Sequence, residues 1–174
     1  MKCYDEISKL YTEEVNQNVV LDRHTSDKKV FNATTLVVYH ACSFKGDFLS
    51  RIKSRPDKNV HAGSYFQAVW RADMKINDPP VEGGGYDTAY IYELVLNPKR
   101  ICKNLIHDAG YNVDQKEEDQ YKPEYDLLVY HNTGEGHATE PNLSVIILDH
   151  SIIKSAKLHS VMNGEQASSY IENN

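Results

Sequence analysis

The chain has 174 residues, 25 acidic against 19 basic, for a formal net charge of -6. That length holds one domain with its own core, and the acidic surplus argues against a general nucleic-acid binder, which needs a basic face against phosphate. The three cysteines Cys3, Cys42 and Cys102 share no metal-ligand spacing, and neither an apolar leader nor a run of membrane-spanning length is present, so the reading is a cytoplasmic protein without disulfides or a membrane partner.

In chain order, residues 4–16 place Ile7, Leu10, Tyr11 and Val15 at helical spacing, with Asp5 and Glu6 in the first turn, where the helix dipole favours acids. Residues 19–21 and 29–31 are short extended segments around the polar turn 23–27. Leu36-Val-Val-Tyr-His-Ala-Cys-Ser43 follows, a β-branched and aromatic run read as a buried strand ending at His40. A strand end is where a scaffold presents chemistry. The plainer alternative for His40 is a core histidine held by a backbone carbonyl.

Residues 44–53 are read as a short helix with Phe48 and Ile52 on one face, and 54–59 as a loop punctuated by Pro56. His61-Ala-Gly-Ser-Tyr-Phe-Gln-Ala68 reads as a glycine turn opening a helix that runs to about Met74, with Gly63 and Ser64 near its N-cap. Residues 75–86 hold Pro79, Pro80 and three glycines at 83–85, a flexible loop that is either a passive connector or a lid. Residues 89–96 alternate as a strand and stop at Asn97-Pro98; 99–105 is read as a turn and helix start. The segment 106–123 is read as a solvated loop or exposed helix around the charged cluster at 116–119. Strands are expected at 125–130, at 143–148 (the longest aliphatic run) and at 152–160, with a frayed polar tail after 161.

Five or six strands, two or three helices and no strand–helix alternation point to one α+β domain on antiparallel or mixed sheets, its core at about 36–160. Gly83 to Gly85 precede no helix, so no nucleotide-type phosphate loop is read there. Eight histidines show no helix-borne ligand spacing; His131 and His137 are six apart in a loop, His150 and His159 bracket a strand, and no metal is expected. Cys42 is only two residues from His40, too close along one chain segment for a nucleophile–base pair. Glu135 and Glu140, in the glycine-flanked loop 131–140, are the acid–base candidates.

The order of these pieces resembles the ADP-ribosyltransferases. Tyr39-His-Ala-Cys-Ser43 is similar to their Tyr-His-Gly-Thr-Ser opening, and the segment from His61 to Ala68 to their His-Phe-Gly-Thr second motif. Tyr90 to Pro98 resembles the strand ending in Asn-Pro. Tyr125 to Tyr130 with Asn132 and Glu135, then the strand from Leu143 and Ile152-Ile-Lys-Ser155, resemble the closing strands of phage- and toxin-type transferase domains. The resemblance spans roughly residues 37–158. It departs at Ala41, where glycine is usual, at Ala62, often aromatic, and at Ser144, where the best-known members carry glutamate.

The resemblance implies a split β core gripping NAD, with His40 on the adenosine ribose and Tyr65 (or Phe66) stacked on nicotinamide. Ala41, Cys42, His61, Ser64, Asn132 and Ser144 would shape the pocket. A carboxylate, Glu135 in preference to Glu140, would stabilise the charge that grows on the ribose as nicotinamide leaves; the residue before Pro141 favours extended backbone. The expected activity is transfer of ADP-ribose from NAD to a macromolecular acceptor, a protein of a host or competitor. The alternative is a domain that has lost catalysis and binds NAD, ADP-ribose or a protein partner.

Overall fold

The computed structural model describes residues 19–20, 35–77, 86–107, 115–132 and 143–174. The helix expected at 4–16, the segment 29–31, the glycines at 83–85 and the loop carrying Glu135 and Glu140 lie outside the described residues.

Two four-stranded sheets carry the fold. The first orders β1 (Val19–Val20), β2 (Leu36–Cys42), β4 (Ala89–Leu96) and β8 (Ile153–Met162) as β1-β2-β4-β8. The second orders β3 (Val60–Ala62), β5 (Ile101–His107), β6 (Leu127–His131) and β7 (Leu143–Ile147) as β3-β7-β6-β5. Pairing is antiparallel except for β1 with β2 and β5 with β6. The expected α+β architecture is therefore present, with two mixed sheets. Among the described residues, no helix is long and apolar enough to cross a membrane.

Side-chain alternation explains how the layers assemble. On β2, Leu36 and Val38 turn into a core shared with Leu94 and Leu96 of β4 and with Leu127, Val129, Val145 and Ile147 of the second sheet. Val37, Tyr39 and Ala41 turn the other way, against Ala68 and Val69 of α2 (Tyr65–Asn77) and Ala167 of α4 (Gly164–Asn173). All five residues of β7 are buried, as befits a strand covered on both faces; four are aliphatic and the fifth, Ser144, accepts from Asn132 Nδ2. At about 25 cal/mol per Å² of apolar surface buried, this two-sided packing is the main stabilising contribution.

Three segments differ from their sequence reading. Residues 99–105 do not start a helix: Ile101–His107 is a strand, parallel to β6, with Cys102 buried. The Asp126 carboxylate anchors its start by accepting from Lys99 N at 3.1 Å and Arg100 N at 3.0 Å. The tail is not frayed. Asn163 caps α4, accepting from Gln166 N at 2.9 Å while Gln166 Oε1 accepts from Asn163 N at 3.0 Å, a reciprocal box that satisfies two orphan donors. Ala167, Tyr170 and Ile171 then pack back onto α2 and the first sheet. The third is the charged cluster, where α3 (Gln115–Asp119) buries Glu118 at 1% exposure.

The helix expected from residue 44 begins later, as α1 (Phe48–Lys53), capped by Asp47 accepting from Ser50 N at 3.0 Å. Gly46 precedes it at φ +149°, a backbone conformation that glycine permits. The Tyr92 hydroxyl holds this turn: it accepts from Gly46 N at 3.0 Å and bonds Phe44 O at 3.0 Å.

Candidate functional site

The two sheets are stitched at one isolated bridge, where Tyr39 N donates to Gly63 O at 2.8 Å and Gly63 N to Tyr39 O at 3.0 Å. Beside the bridge lies a cleft of about 510 Å³, lined by residues of β2, β3, α2, β6 and β7. The bridge brings together two motifs distant in sequence, the Tyr-His pair of β2 and the His-Ala-Gly of β3. Gly63 is required there. A Cβ would collide with Gln67 Oε1 and come within 3.0 Å of Ser144 Oγ. Gln67 is buried at 2% exposure and its Oε1 already accepts from Ser64 N at 2.8 Å, while Ser64 Oγ accepts from Gln67 N at 3.1 Å. This is the capping box of α2. Gly63→Ala is therefore expected to break the cap and lower stability by about 1–2 kcal/mol, read as a urea midpoint shift; an unshifted midpoint would contradict the packing.

Of the residues expected from sequence, His40, Ala41, Cys42, His61, Asn132 and Ser144 line this one cleft. Three do not. Ser64 is the buried cap of α2, and Phe66 packs beside Trp70 and Tyr170 with ring centroids 6.0 and 6.3 Å away. Tyr65 packs outside the lining, its ring 5.3 Å from Tyr39, 4.9 Å from His159 and 5.4 Å from Tyr170, its hydroxyl 3.0 Å from Ser160 Oγ. The aromatic side chains on the lining are instead Tyr39, Tyr86 and Tyr130. Burial pushes the Tyr86 hydroxyl up to about 12, so it stays a protonated donor. Glu135 is outside the described residues.

His40 is held by a backbone carbonyl, as its plainer sequence reading expected. Nδ1 lies 2.6 Å from His61 O, and since a carbonyl only accepts, Nδ1 carries the proton and Nε2 is left as an acceptor. The ring stacks on Phe48 at 5.0 Å. Burial holds its pKa below the ordinary histidine value, outweighing the carbonyl contact that raises it. A lowered folded pKa means that the unfolded chain takes up a proton that the folded one refuses. The stability contribution is thus complete above about pH 6.5 and is lost as pH falls towards the folded value. His150, also lowered chiefly by burial, acts with the same sign. His40→Gln is expected to flatten the fall in urea midpoint between about pH 7.5 and 5.5; a slope equal to wild type would contradict it.

Burial also raises the Cys42 thiol, whose Sγ lies 3.6 Å from Phe44 O, so it is not poised as a thiolate. Asn132 Nδ2 donates to Ser144 Oγ at 3.1 Å, forming a polar patch of the cleft wall buried at 4% and 2% exposure.

Sequence reading missed the charge of the cleft. Arg71 and Lys75, four apart on α2, both line it, and Arg71 acts electrostatically on His40 and Tyr86. No aspartate or glutamate is among the described lining residues. In a chain of net charge -6, Arg71 and Lys75 thus place two cations on the described lining of the cleft. The available signal was the i,i+4 spacing of two cations on the helix following the second motif. Also missed was Glu118, directly behind the lining: its Oε1 is 2.9 Å from His61 Nε2 and its Oε2 accepts from Asn59 Nδ2 at 2.7 Å. Burial pushes the Glu118 carboxyl up, but the contacts with His61 and Asn59 outweigh it and hold the group below the usual carboxylate range.

Fold and site together define an α+β domain with a cation-walled cleft between two sheets. Compared with known proteins, the chain matches no family model, no curated protein and no solved structure.

Proposed function

We propose that the cleft binds NAD and that the protein transfers ADP-ribose from it to a macromolecular acceptor, a protein of a host or competitor. One observation carries the reading: the residues of separate transferase-like motifs, His40, His61, Asn132 and Ser144, converge on a single cleft whose described charged lining is cationic. NAD carries a dianionic pyrophosphate, which calls for such a wall. Arg71 and Lys75 supply it, Arg71 through a planar fork suited to phosphate oxygens. His40 Nε2 accepts from an adenosine-ribose hydroxyl. Tyr86 offers the ring against nicotinamide in place of Tyr65, since it lines the cleft and Tyr65 does not. Glu135 keeps its proposed role of stabilising charge on the nicotinamide ribose.

The division of the strands into two sheets supports the reading, since the ADP-ribosyltransferase type implies a split β core. A second reading, NAD or ADP-ribose binding without turnover, is favoured by the lack of a carboxylate among the described lining residues and by serine at position 144. Incubation of the protein with adenine-labelled NAD and a cell lysate separates the two. Label on a macromolecule supports transfer; bound NAD with no label and no released nicotinamide supports the second reading.

A further inference from the structure

Buried Glu118 and half-exposed His61 form a pair at the edge of the cleft to which no chemical step has been assigned above. Resting on the reading that the cleft cleaves NAD, we propose that His61 is the base that deprotonates a hydroxyl acceptor, and that Glu118 is the positioning residue that holds its ring.

The geometry runs as a chain. Asn59 Nδ2 donates to Glu118 Oε2 at 2.7 Å and to Asp119 Oδ1 at 3.2 Å. A nitrogen giving two carboxylate contacts fixes the orientation of the Asn59 amide. Glu118, at 1% exposure, then presents its other oxygen to His61 Nε2 at 2.9 Å. A carboxylate only accepts, so Nε2 carries a proton, and in the neutral ring the lone pair is on Nδ1. The Tyr130 ring, edge-on at 6.1 Å, braces the imidazole from another side. The His61 side chain is 49% exposed and lines the cleft, so an acceptor can reach it. Buried acid, oriented imidazole and open cleft are the elements of a supported general base.

The step balances. The acceptor O–H gives its proton to His61 Nδ1 as its oxygen bonds C1′ of the nicotinamide ribose. The C1′–N1 bond breaks, and its electron pair neutralises the pyridinium of departing nicotinamide. The new imidazolium is offset by the Glu118 carboxylate and returns its proton to solvent. A carboxylate acceptor needs no such base, so the pair assigns the acceptor class: a serine, threonine or tyrosine hydroxyl, with water as the substitute when no protein acceptor is present.

In Glu118→Gln, the new side chain must offer its oxygen to Asn59 Nδ2, whose amide Asp119 holds in place, and turn its NH₂ to His61. That forces Nε2 to accept and moves the proton to Nδ1, removing the base's lone pair. Nicotinamide release from NAD in water is measured for wild type, His61→Gln and Glu118→Gln, together with ring ¹⁵N spectra of His61. We expect kcat to fall by about 10²–10⁴-fold in His61→Gln and in Glu118→Gln alike, with KM for NAD unchanged in both. The ¹⁵N spectra should show the Nε2–H form in wild type and the Nδ1–H form in Glu118→Gln. Wild-type turnover that survives His61→Gln overturns this inference alone, as does an unchanged tautomer in Glu118→Gln. Absence of any wild-type NAD cleavage overturns the transferase reading and this inference with it. Should Glu118→Gln not fold, the half-exposed His61→Gln decides.

Discussion

Replacing Arg71 and Lys75 together by alanine weakens NAD binding by at least about tenfold, measured by calorimetric titration. Each cation in contact with a phosphate oxygen contributes on the order of 1.5–3 kcal/mol, and 1.4 kcal/mol is a factor of ten in affinity. The two side chains sit one turn apart on α2, so they line one wall of the cleft and act on one ligand group. Arg71→Lys should recover only part of the loss, because an ammonium lacks the planar fork. Wild-type affinity should also fall as salt rises, and the double variant should lose much of that dependence. Equal affinities for wild type and double variant, both folded by thermal melting, would place the pyrophosphate elsewhere.

The largest expected effect on stability lies far from the cleft, at Asp126. This carboxylate, at 4% exposure, accepts from the backbone amides of Lys99 and Arg100 and from the Arg100 side chain through Nε at 2.9 Å and Nη2 at 2.6 Å. Its own backbone carbonyl accepts from Leu148 N at 2.9 Å and Asp149 N at 3.2 Å. One residue therefore joins the start of β5, the start of β6 and the end of β7. Asp126→Ala leaves two backbone donors without their acceptor and is expected to cost about 2–4 kcal/mol in urea unfolding. Arg100 is half-exposed and is rehydrated, which keeps the loss from being larger. Burial pushes the Asp126 carboxyl up, but its Arg100 and amide contacts outweigh this and hold it below the ordinary carboxylate range. The contribution is present above the unfolded value of about 3.9 and is lost as pH falls through the folded one. A midpoint of Asp126→Ala within experimental error of wild type would contradict this account of the second sheet.

What was legible in the sequence followed from local pattern. β2, β4 and β7 announce themselves by β-branched and aromatic runs whose faces must be buried. The turn at Gly63 and the helix after it were legible because small residue, cap and apolar period fall in order. α4 was missed although its signals were present: Asn163 with Gln166 three residues on, then Ala167, Tyr170 and Ile171 at helical spacing. Its polar composition obscured them. β5 was not legible, because Lys103 and Asn104 interrupt its apolar pattern and its pairing with β6 comes from the fold.

The site divides the same way. His40 and His61 stand beside strand ends and small residues, which a sequence reader can notice. That Glu118 is buried while Lys116 and Asp119 are exposed depends on Asn59 and His61 arriving from another part of the chain, which no local window contains. Tyr65 sits at the position that the motif suggested, yet helix packing against Tyr39, His159 and Tyr170 takes its ring off the cleft lining.

The central claim is that the cleft beside the Tyr39–Gly63 bridge holds NAD. A crystal structure of the protein grown with saturating NAD tests it most directly. The predicted result is dinucleotide density in that cleft, with pyrophosphate oxygens against Arg71 and Lys75 and an adenosine-ribose hydroxyl on His40 Nε2. Density for NAD at any other place on the molecule, or an empty cleft at saturating NAD, would contradict it.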